Sequence, residues 1–151
     1  MGYAVEKWKD ISKEIMALSS EHYEEIAHYK DIPLEPDEER YNQIEEGGML
    51  RVFTLRNIDK KLIGYALFFV NKNLHYKSSK QAVQDVIFIR KENRGRGGRF
   101  IAWCDEQLKA EQVQVVYHHV KTKHDFGVLL ERQGYECVDK IYGKRLDKEV
   151  G

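Results

Sequence analysis

Three glycines and three arginines lie within one short turn, Arg94–Arg99 (RGRGGR). The turn follows a β-branched and aromatic run at 85–89 and precedes a segment whose apolar residues recur at helical spacing. A glycine-rich turn between a strand and a helix exposes backbone N–H groups, and the positive end of the helix dipole points to the same place. The spacing therefore predicts an anion cradle, and phosphate is the first ligand to consider.

Titratable side chains occur close to this turn and in a later strand. Asp85 stands at the head of the strand that leads into the turn, where it is either a carboxylate in a cleft or a strand end in solvent. His118 and His119 are adjacent in an apolar run, so their side chains point to opposite faces of a strand. Carboxylates and imidazoles can act as general bases, and the alternative for each is a structural role.

The periodicity of the chain predicts the elements that position these residues. In the first half of the chain we expect helices over 6–30, with Ser19 or Ser20 capping a second segment, a helix from Asp37 to Gly47–Gly48, and a hairpin of 49–56 and 62–70. In the second half we expect a strand at 81–89, a helix at 98–111, a strand at 113–120, a helix at 123–133 and a last strand or bent hairpin at 135–146. The strand–helix–strand unit at 81–120 predicts parallel outer strands. This order indicates one α+β (mixed α/β) domain over 1–151.

Composition narrows the classes of function. The chain is 42% hydrophobic and 33% charged with zero net charge, which favours a soluble protein without a nucleic-acid or membrane partner. An RNA-binding role for the turn is disfavoured, because RGG segments usually belong to disordered tails. The N-terminal sequence lacks the apolar run of a secretory signal, and Cys104 and Cys137 are typical of buried thiols in a reducing cytoplasm. No spacing typical of metal ligands occurs, so we expect no metal.

With this order of elements, Arg94–Arg99 resembles the cofactor loop of the GNAT superfamily of acyl-CoA-dependent N-acetyltransferases. The family signature is Q/R-x-x-G-x-G/A, and the letters RGRG match its first four positions, whereas Arg99 falls where Gly or Ala is preferred. Residues 129–135 (LLERQGY) are similar to the ending of a family helix, and 141–146 (IYGKRL) to the final strand of its phage-type members. The resemblance covers about 45–147.

The resemblance implies a central mixed, mostly antiparallel sheet that is flanked by helices. This sheet is splayed between strands 81–89 and 113–120, the family's β4 and β5. It also implies that the turn holds the pyrophosphate of acetyl-CoA and that main-chain amides on the first of these strands polarise the thioester carbonyl. The implied cofactor-binding residues are Phe88, Ile89, Arg94, Gly95, Arg96, Gly97, Gly98, Arg99 and, at the position of a cofactor-contacting asparagine, His124.

The implied activity is direct acetyl transfer to an amine on a small molecule, peptide or protein. Asp85 or a histidine of strand 113–120, with His119 as the candidate, would be the base that accepts the amine proton directly or through water. Many family members protonate the departing thiolate with a helix tyrosine, but the matching position is Leu130 or Glu131. The candidate acid is therefore another tyrosine, such as Tyr142, or water. The alternative is a catalytically weak or inactive acyl-CoA-binding or interaction module on the same fold. Family members are often dimers, so a homodimer is a further expectation.

Overall fold

The structure is a computed structural model that describes residues 1–148. Within these residues five strands form one sheet in the order β1 (Gly2–Glu6), β2 (Leu50–Arg56), β3 (Leu62–Lys72), β4 (Lys80–Ile89) and β5 (Val115–Tyr117). Neighbouring strands are antiparallel except β4 and β5, which are parallel. The helices are α1 (Trp8–Ile26), α2 (Glu38–Glu46), α3 (Gly97–Ala110) and α4 (Gly127–Arg132). The prediction of a mixed, mostly antiparallel sheet flanked by helices is confirmed.

Each face of the sheet has its own apolar core. On one face, α3 packs its buried side chains Phe100, Cys104 and Leu108 against β2, β3 and β4. On the other face, α1 and α2 cover a second cluster that includes Tyr65 and Phe88. The two clusters follow from the alternation of side chains along each strand, which directs successive residues to opposite faces.

The N-terminal region differs from the prediction in two ways. The sequence up to residue 6 forms the edge strand β1, whose Tyr3 ring lies 5.8 Å from the ring of Phe100. A strand of five residues is too short to give a clear period of two, so the pattern missed it. The residues after β1 form the single helix α1, in which the Ser19 hydroxyl donates to the Met16 carbonyl at 2.7 Å instead of capping a second segment.

The predicted second helix and hairpin are confirmed, and local side chains explain their ends. The Asp37 carboxylate caps α2, and the chain leaves the helix through Gly48, whose φ of +76° favours glycine. In the β2–β3 turn, the Asn57 side-chain oxygen accepts from two backbone N–H groups of the turn, each at 2.9 Å. These signals lie within a few residues of the structure they determine.

The last third of the chain is less regular than predicted. β5 is shorter than the expected strand at 113–120, a 3-10 turn and α4 replace the helix at 123–133, and the predicted strand at 135–146 is wrong. Instead, Arg145 forms an ion pair with Asp31, in the connection after α1, at 2.9 Å. A strand requires a partner as well as a favourable local sequence, and the local alternation of this segment contains no information about a partner.

A β-bulge in β4 determines which face each side chain takes. Leu67 and Phe68 of β3 pair with Val86 and Gln84, so Asp85 is the extra residue on β4. The bulge therefore shifts the alternation by one position. Beyond it, the side chains of Val86 and Phe88 join the core under α1 and α2, and those of Ile87 and Ile89 join the core under α3.

β4 and β5 pair over a short distance and then separate. Gln81–Val83 pairs with Val115–Tyr117, and β4 continues to Ile89 without pairing to β5. Just beyond the last pair, the Nδ1 atom of His118 lies 2.8 Å from the side-chain oxygen of Gln84. The predicted splay is confirmed, and it leaves one edge of β4 open.

Candidate functional site

The glycine-rich turn leads directly into a helix N-terminus. Lys91–Arg96 forms a 3-10 turn and α3 begins at Gly97, whose N–H donates to the Arg94 carbonyl. Among residues 1–148, no side chain caps α3, and its first turn carries no acidic residue. The N–H groups of Gly98 and Arg99 lie in the first turn of α3, where the helix itself offers no carbonyl to accept them, so they are free to bind an anion.

The three arginines of the turn have different environments. Arg96 and Arg99 are exposed at the start of α3. Arg94 is partly buried and directed inward, where its Nε donates to the Ile89 carbonyl at 3.0 Å and its Nη2 donates to the carboxylate of Glu25 on α1. Two arginines therefore present positive charge to solvent, whereas the third is neutralised by a carboxylate of α1.

α1 contributes two side chains to this region that sequence reasoning missed. Glu25 pairs with Arg94 and also lies 3.9 Å from the Nδ1 atom of His124, one of the predicted cofactor-binding residues. His22 is buried one turn earlier, with its ring 5.0 Å from that of Phe88, and burial lowers the pKa of His22 to about 4. No short motif marks these residues, because both fit the pattern of an ordinary amphipathic helix.

A groove of about 650 Å³ extends from the turn between α3 and α4. An added Cβ at Gly98 would lie 3.4 Å from Nε2 of Gln133, which itself donates to the Gly98 carbonyl at 2.7 Å, so α4 approaches the helix start closely. Uncapped N–H groups and arginines at the start of such a groove fit a phosphate-bearing ligand. Its lining residues include Gly95, Gly98, Arg99, Leu129 and Arg132, of which Arg132 was missed by sequence reasoning.

Of Phe88 and Ile89, the two residues of β4 whose amides were candidates for polarising a thioester, only one directs its N–H to the open edge of the strand. Arg90 N–H donates to the Ile63 carbonyl of β3 at 2.9 Å. Because antiparallel pairing turns alternate residues toward the same neighbour, the N–H of Phe88 is also directed at β3. The N–H and C=O of Ile89 are directed to the open edge, consistent with the contact between its carbonyl and Arg94. The Ile89 N–H therefore faces the splay.

Asp85 is half-buried on the α1 and α2 side of the sheet. The Tyr41 hydroxyl, from α2, donates to its Oδ2. Burial raises the pKa of Asp85, and the hydrogen bond from Tyr41 lowers it in part. Burial and the nearby Asp85 charge both raise the pKa of Tyr41 and of Tyr65 on β3. A carboxylate with a perturbed pKa beside an opening in a sheet has the properties of a general base. Tyr41 was missed by sequence reasoning.

The structure does not bring the other predicted catalytic residues to Asp85. His119 is exposed beyond the end of β5, and Tyr142 is 88% exposed in the irregular C-terminal segment. Among residues 1–148, only Tyr41 lies within hydrogen-bonding distance of the Asp85 carboxylate. His118 is packed between aromatic rings, and burial lowers its pKa to about 4. The catalytic roles of Asp85, His119 and Tyr142 stay predictions.

Within residues 1–148, no group of three or more His, Cys, Asp or Glu side chains is arranged to hold a metal ion. No helix in the same part of the chain has the length and apolar character needed to cross a membrane.

No protein-family model and no curated protein matches the sequence. Solved structures do match. The ribosomal-protein-alanine N-acetyltransferase of Brucella melitensis biovar Abortus 2308 has a TM-score of 0.69 at 15% identity, over 97% of this chain and 100% of the other. The glucosamine-6-phosphate N-acetyltransferase of Arabidopsis thaliana has a TM-score of 0.69 at 13% identity, over 97% and 100%. A predicted acetyltransferase with acetyl-CoA from Clostridium acetobutylicum has a TM-score of 0.69 at 13% identity, over 96% of each chain.

These structural similarities identify the fold of the chain. At such low identity, similarity over nearly the whole length is similarity of fold alone, and the fold is that of the GNAT acetyltransferases. The expected fold is therefore confirmed. Membership of the superfamily and of its phage-type subgroup stays a prediction.

Proposed function

We propose that this protein is an acetyl-CoA-dependent N-acetyltransferase that moves the acetyl group directly to an amine. The proposal is carried by one arrangement on β4. The half-buried Asp85 and the uncapped start of α3 lie at the two ends of its open edge. Asp85 and Ile89 are about 13 Å apart along an extended strand. An extended ligand bound at the turn by its phosphates can therefore place its reactive end near the carboxylate.

The residues of the site divide the chemistry between them. The start of α3, with Arg96 and Arg99, holds the pyrophosphate. The Ile89 N–H donates to the thioester oxygen, and one such donor typically contributes about 2.7–4 kcal/mol. As the amine nitrogen bonds to the carbonyl carbon and the C–S bond breaks, Asp85 accepts the nitrogen proton. The thiolate leaves with its electron pair and, with a pKa of about 8.5 for a thiol, takes up a proton from water or from Tyr142.

The acceptor is proposed only as an amine on a small molecule, peptide or protein. The enzymes of similar fold are named for substrates as different as a ribosomal protein and glucosamine 6-phosphate, so the fold does not select among these classes. We also propose a cytoplasmic location, which the free thiols of Cys104 and Cys137 support. A homodimer and the absence of nucleic-acid partners stay predictions.

The test is an acetylation assay with a broad amine panel. Amino sugars, polyamines, amino acids, peptides and a lysine-rich protein would be incubated with acetyl-CoA, with thiol release and product mass as the two readouts. We expect enzyme-dependent thiol release together with an acetylated product for at least one class. Thiol release without an acetylated amine would indicate hydrolysis and would contradict the proposed reaction.

A second candidate is the non-catalytic acyl-CoA-binding module. It is favoured by the position of the family's helix tyrosine, where Leu130 is buried and Glu131 is exposed. Isothermal titration with acetyl-CoA and CoA separates the two candidates. Binding without acetylation of any amine in the panel would favour the module, and no binding of either ligand would reject both.

A further inference from the structure

Tyr41 is held rigidly by its own surroundings. Its ring stacks on that of Trp8 at a centroid distance of 4.5 Å and an interplanar angle of 29°, and Trp8 is buried at the start of α1. α2 is attached to the same place, because the Glu45 carboxylate accepts from the N–H groups of Trp8 and Lys9. The Tyr41 hydroxyl is therefore fixed relative to the sheet rather than carried on a free helix.

Asp85 depends more on such a partner than an ordinary strand residue does. As the extra residue of the bulge, it has no opposite residue on β3, and β5 no longer pairs with β4 at this point. The regular ladder therefore does not determine the orientation of its side chain. A buried carboxylate that is held by one hydrogen bond takes its orientation from the donor of that bond.

The surroundings of Asp85 also supply little positive charge. Tyr41 faces it from α2 and Tyr65 from β3, both as neutral phenols. On α1, the negative charge of Glu21 contributes to the raised pKa of Tyr65, and the His22 ring lies 6.3 Å from the ring of Tyr65. Among the described residues, no lysine or arginine donates to the carboxylate. The Tyr41 hydroxyl is thus the group that stabilises the ionised carboxylate against the cost of burial.

We propose that Tyr41 is a positioning residue for Asp85. The Tyr41 hydroxyl fixes the orientation of the Asp85 carboxylate and keeps it in the ionised form that accepts a proton. The use of that form in catalysis rests on the proposed function, whereas the coupling between the two side chains does not. The carboxylate must be ionised to accept the amine proton. The conformation of α2 therefore determines the strength of the base on β4.

The chain contains a matched pair that serves as a control. On the other side of the molecule, the Tyr135 hydroxyl donates to Asp105 at 2.7 Å, and burial likewise raises the pKa of Asp105. The two tyrosine–aspartate pairs share the same chemistry and similar burial. They differ in that only Asp85 lies on the open strand.

The experiment is a carbon-13 NMR titration of aspartate carboxyl groups in the free protein. Asp85→Asn assigns the Asp85 signal. We expect Tyr41→Phe to raise the Asp85 midpoint by roughly one to two pH units, because a hydrogen bond to a charged group is lost. Tyr135→Phe should raise the Asp105 midpoint and leave that of Asp85 unchanged. An Asp85 midpoint that stays the same in Tyr41→Phe would overturn the proposal.

Kinetics separate the failure of this inference from the failure of the proposed function. With an accepted amine, Tyr41→Phe should shift the acidic limb of the kcat/KM profile upward by the same interval as the NMR midpoint. An equal loss of activity at every pH would indicate a merely structural effect and would contradict the positioning role. If the NMR midpoint moves while no amine is ever acetylated, the coupling stands and the proposed function fails.

Discussion

The two ends of the open edge of β4 are built in different ways. The candidate anion site at Arg94–Arg99 needs only a contiguous stretch, because the glycines, two exposed arginines and the helix that they open are adjacent in sequence. The Asp85 site combines a bulge, which depends on pairing with β3, and a tyrosine that lies 44 positions away in the sequence. The candidate binding function therefore depends on neighbouring residues in the sequence, whereas the candidate catalytic function depends on tertiary contacts.

The two ends also have opposite electrostatic requirements. Two exposed arginines and uncapped N–H groups favour an anion at the turn, and Glu25 neutralises the third arginine. At Asp85, a lone carboxylate beside neutral phenols favours a proton or a cation. A ligand with phosphates at one end, and a reactive end that meets an amine, would satisfy both electrostatic requirements.

The largest effect is expected from Asp85→Asn. Loss of a general base typically lowers the rate by about 10²–10⁴-fold, and the amide is close in shape to the carboxylate. The wild-type rate should fall as the pH drops through the raised pKa of Asp85, because the protonated carboxyl cannot accept a proton. Steady-state kinetics across pH should show this acidic fall in rate in the wild type and not in the variant.

Asp59→Asn is the matched control for this substitution, since Asp59 is exposed in the β2–β3 turn. It should leave both rate and pH profile unchanged. The affinity of Asp85→Asn for acetyl-CoA should equal that of the wild type in calorimetry. A variant whose pH–rate profile matches the wild type would exclude Asp85 as the base and place catalysis elsewhere.

The second-largest effect is expected at the other end of β4, where a substitution at the start of α3 should lower the affinity for acetyl-CoA. Gly97→Glu introduces a carboxylate at the start of α3, and we expect acetyl-CoA affinity to fall by about 100-fold through repulsion of phosphate. The backbone tolerates the change, because among the described residues a Cβ at Gly97 would meet only Ile89 and Leu129, at 3.8 and 3.9 Å. Calorimetry gives the affinity, and thermal melting checks that the fold is retained.

Gly2→Glu is the control, because a Cβ at Gly2 would meet no other residue of the described range 1–148 within 4 Å. It should bind acetyl-CoA as the wild type does. If Gly97→Glu retains full affinity with an unchanged melting temperature, the start of α3 is not the anion site. The claim that one end of β4 binds an anion through a contiguous stretch would then be wrong.

The smallest effect concerns the contact between α1 and the turn. Glu25→Gln removes a negative charge near the anion site and releases Arg94, so acetyl-CoA affinity should rise by about 3- to 10-fold. Glu21→Gln is the control, because Glu21 pairs at 3.0 Å with Arg90, outside the turn. Calorimetry at low salt measures both. A weaker affinity in Glu25→Gln would instead mean that Glu25 holds Arg94 in a productive position.

Much of the fold could be predicted from local signals. Asp37 and Gly48 mark the ends of α2, Asn57 marks the hairpin turn, and the apolar period of α3 is clear. Two segments of the chain were predicted incorrectly. The edge strand β1 is too short to show a period, and 135–146 has the local sequence of a strand without a partner. Pairing is a relation between distant segments, which a local pattern does not contain.

The candidate site divides along the same line. The sequence by itself determined the glycine-rich turn, its helix and the strand before it, because backbone freedom and periodicity are properties of neighbouring residues. Only the tertiary structure decided that Arg94 is neutralised by Glu25 and that Tyr41 donates to Asp85. Both contacts join residues far apart in the chain, so they exist only once α1 and α2 pack on the sheet. The register of β4 with β3, interrupted by one extra residue, then places Asp85 within reach of Tyr41.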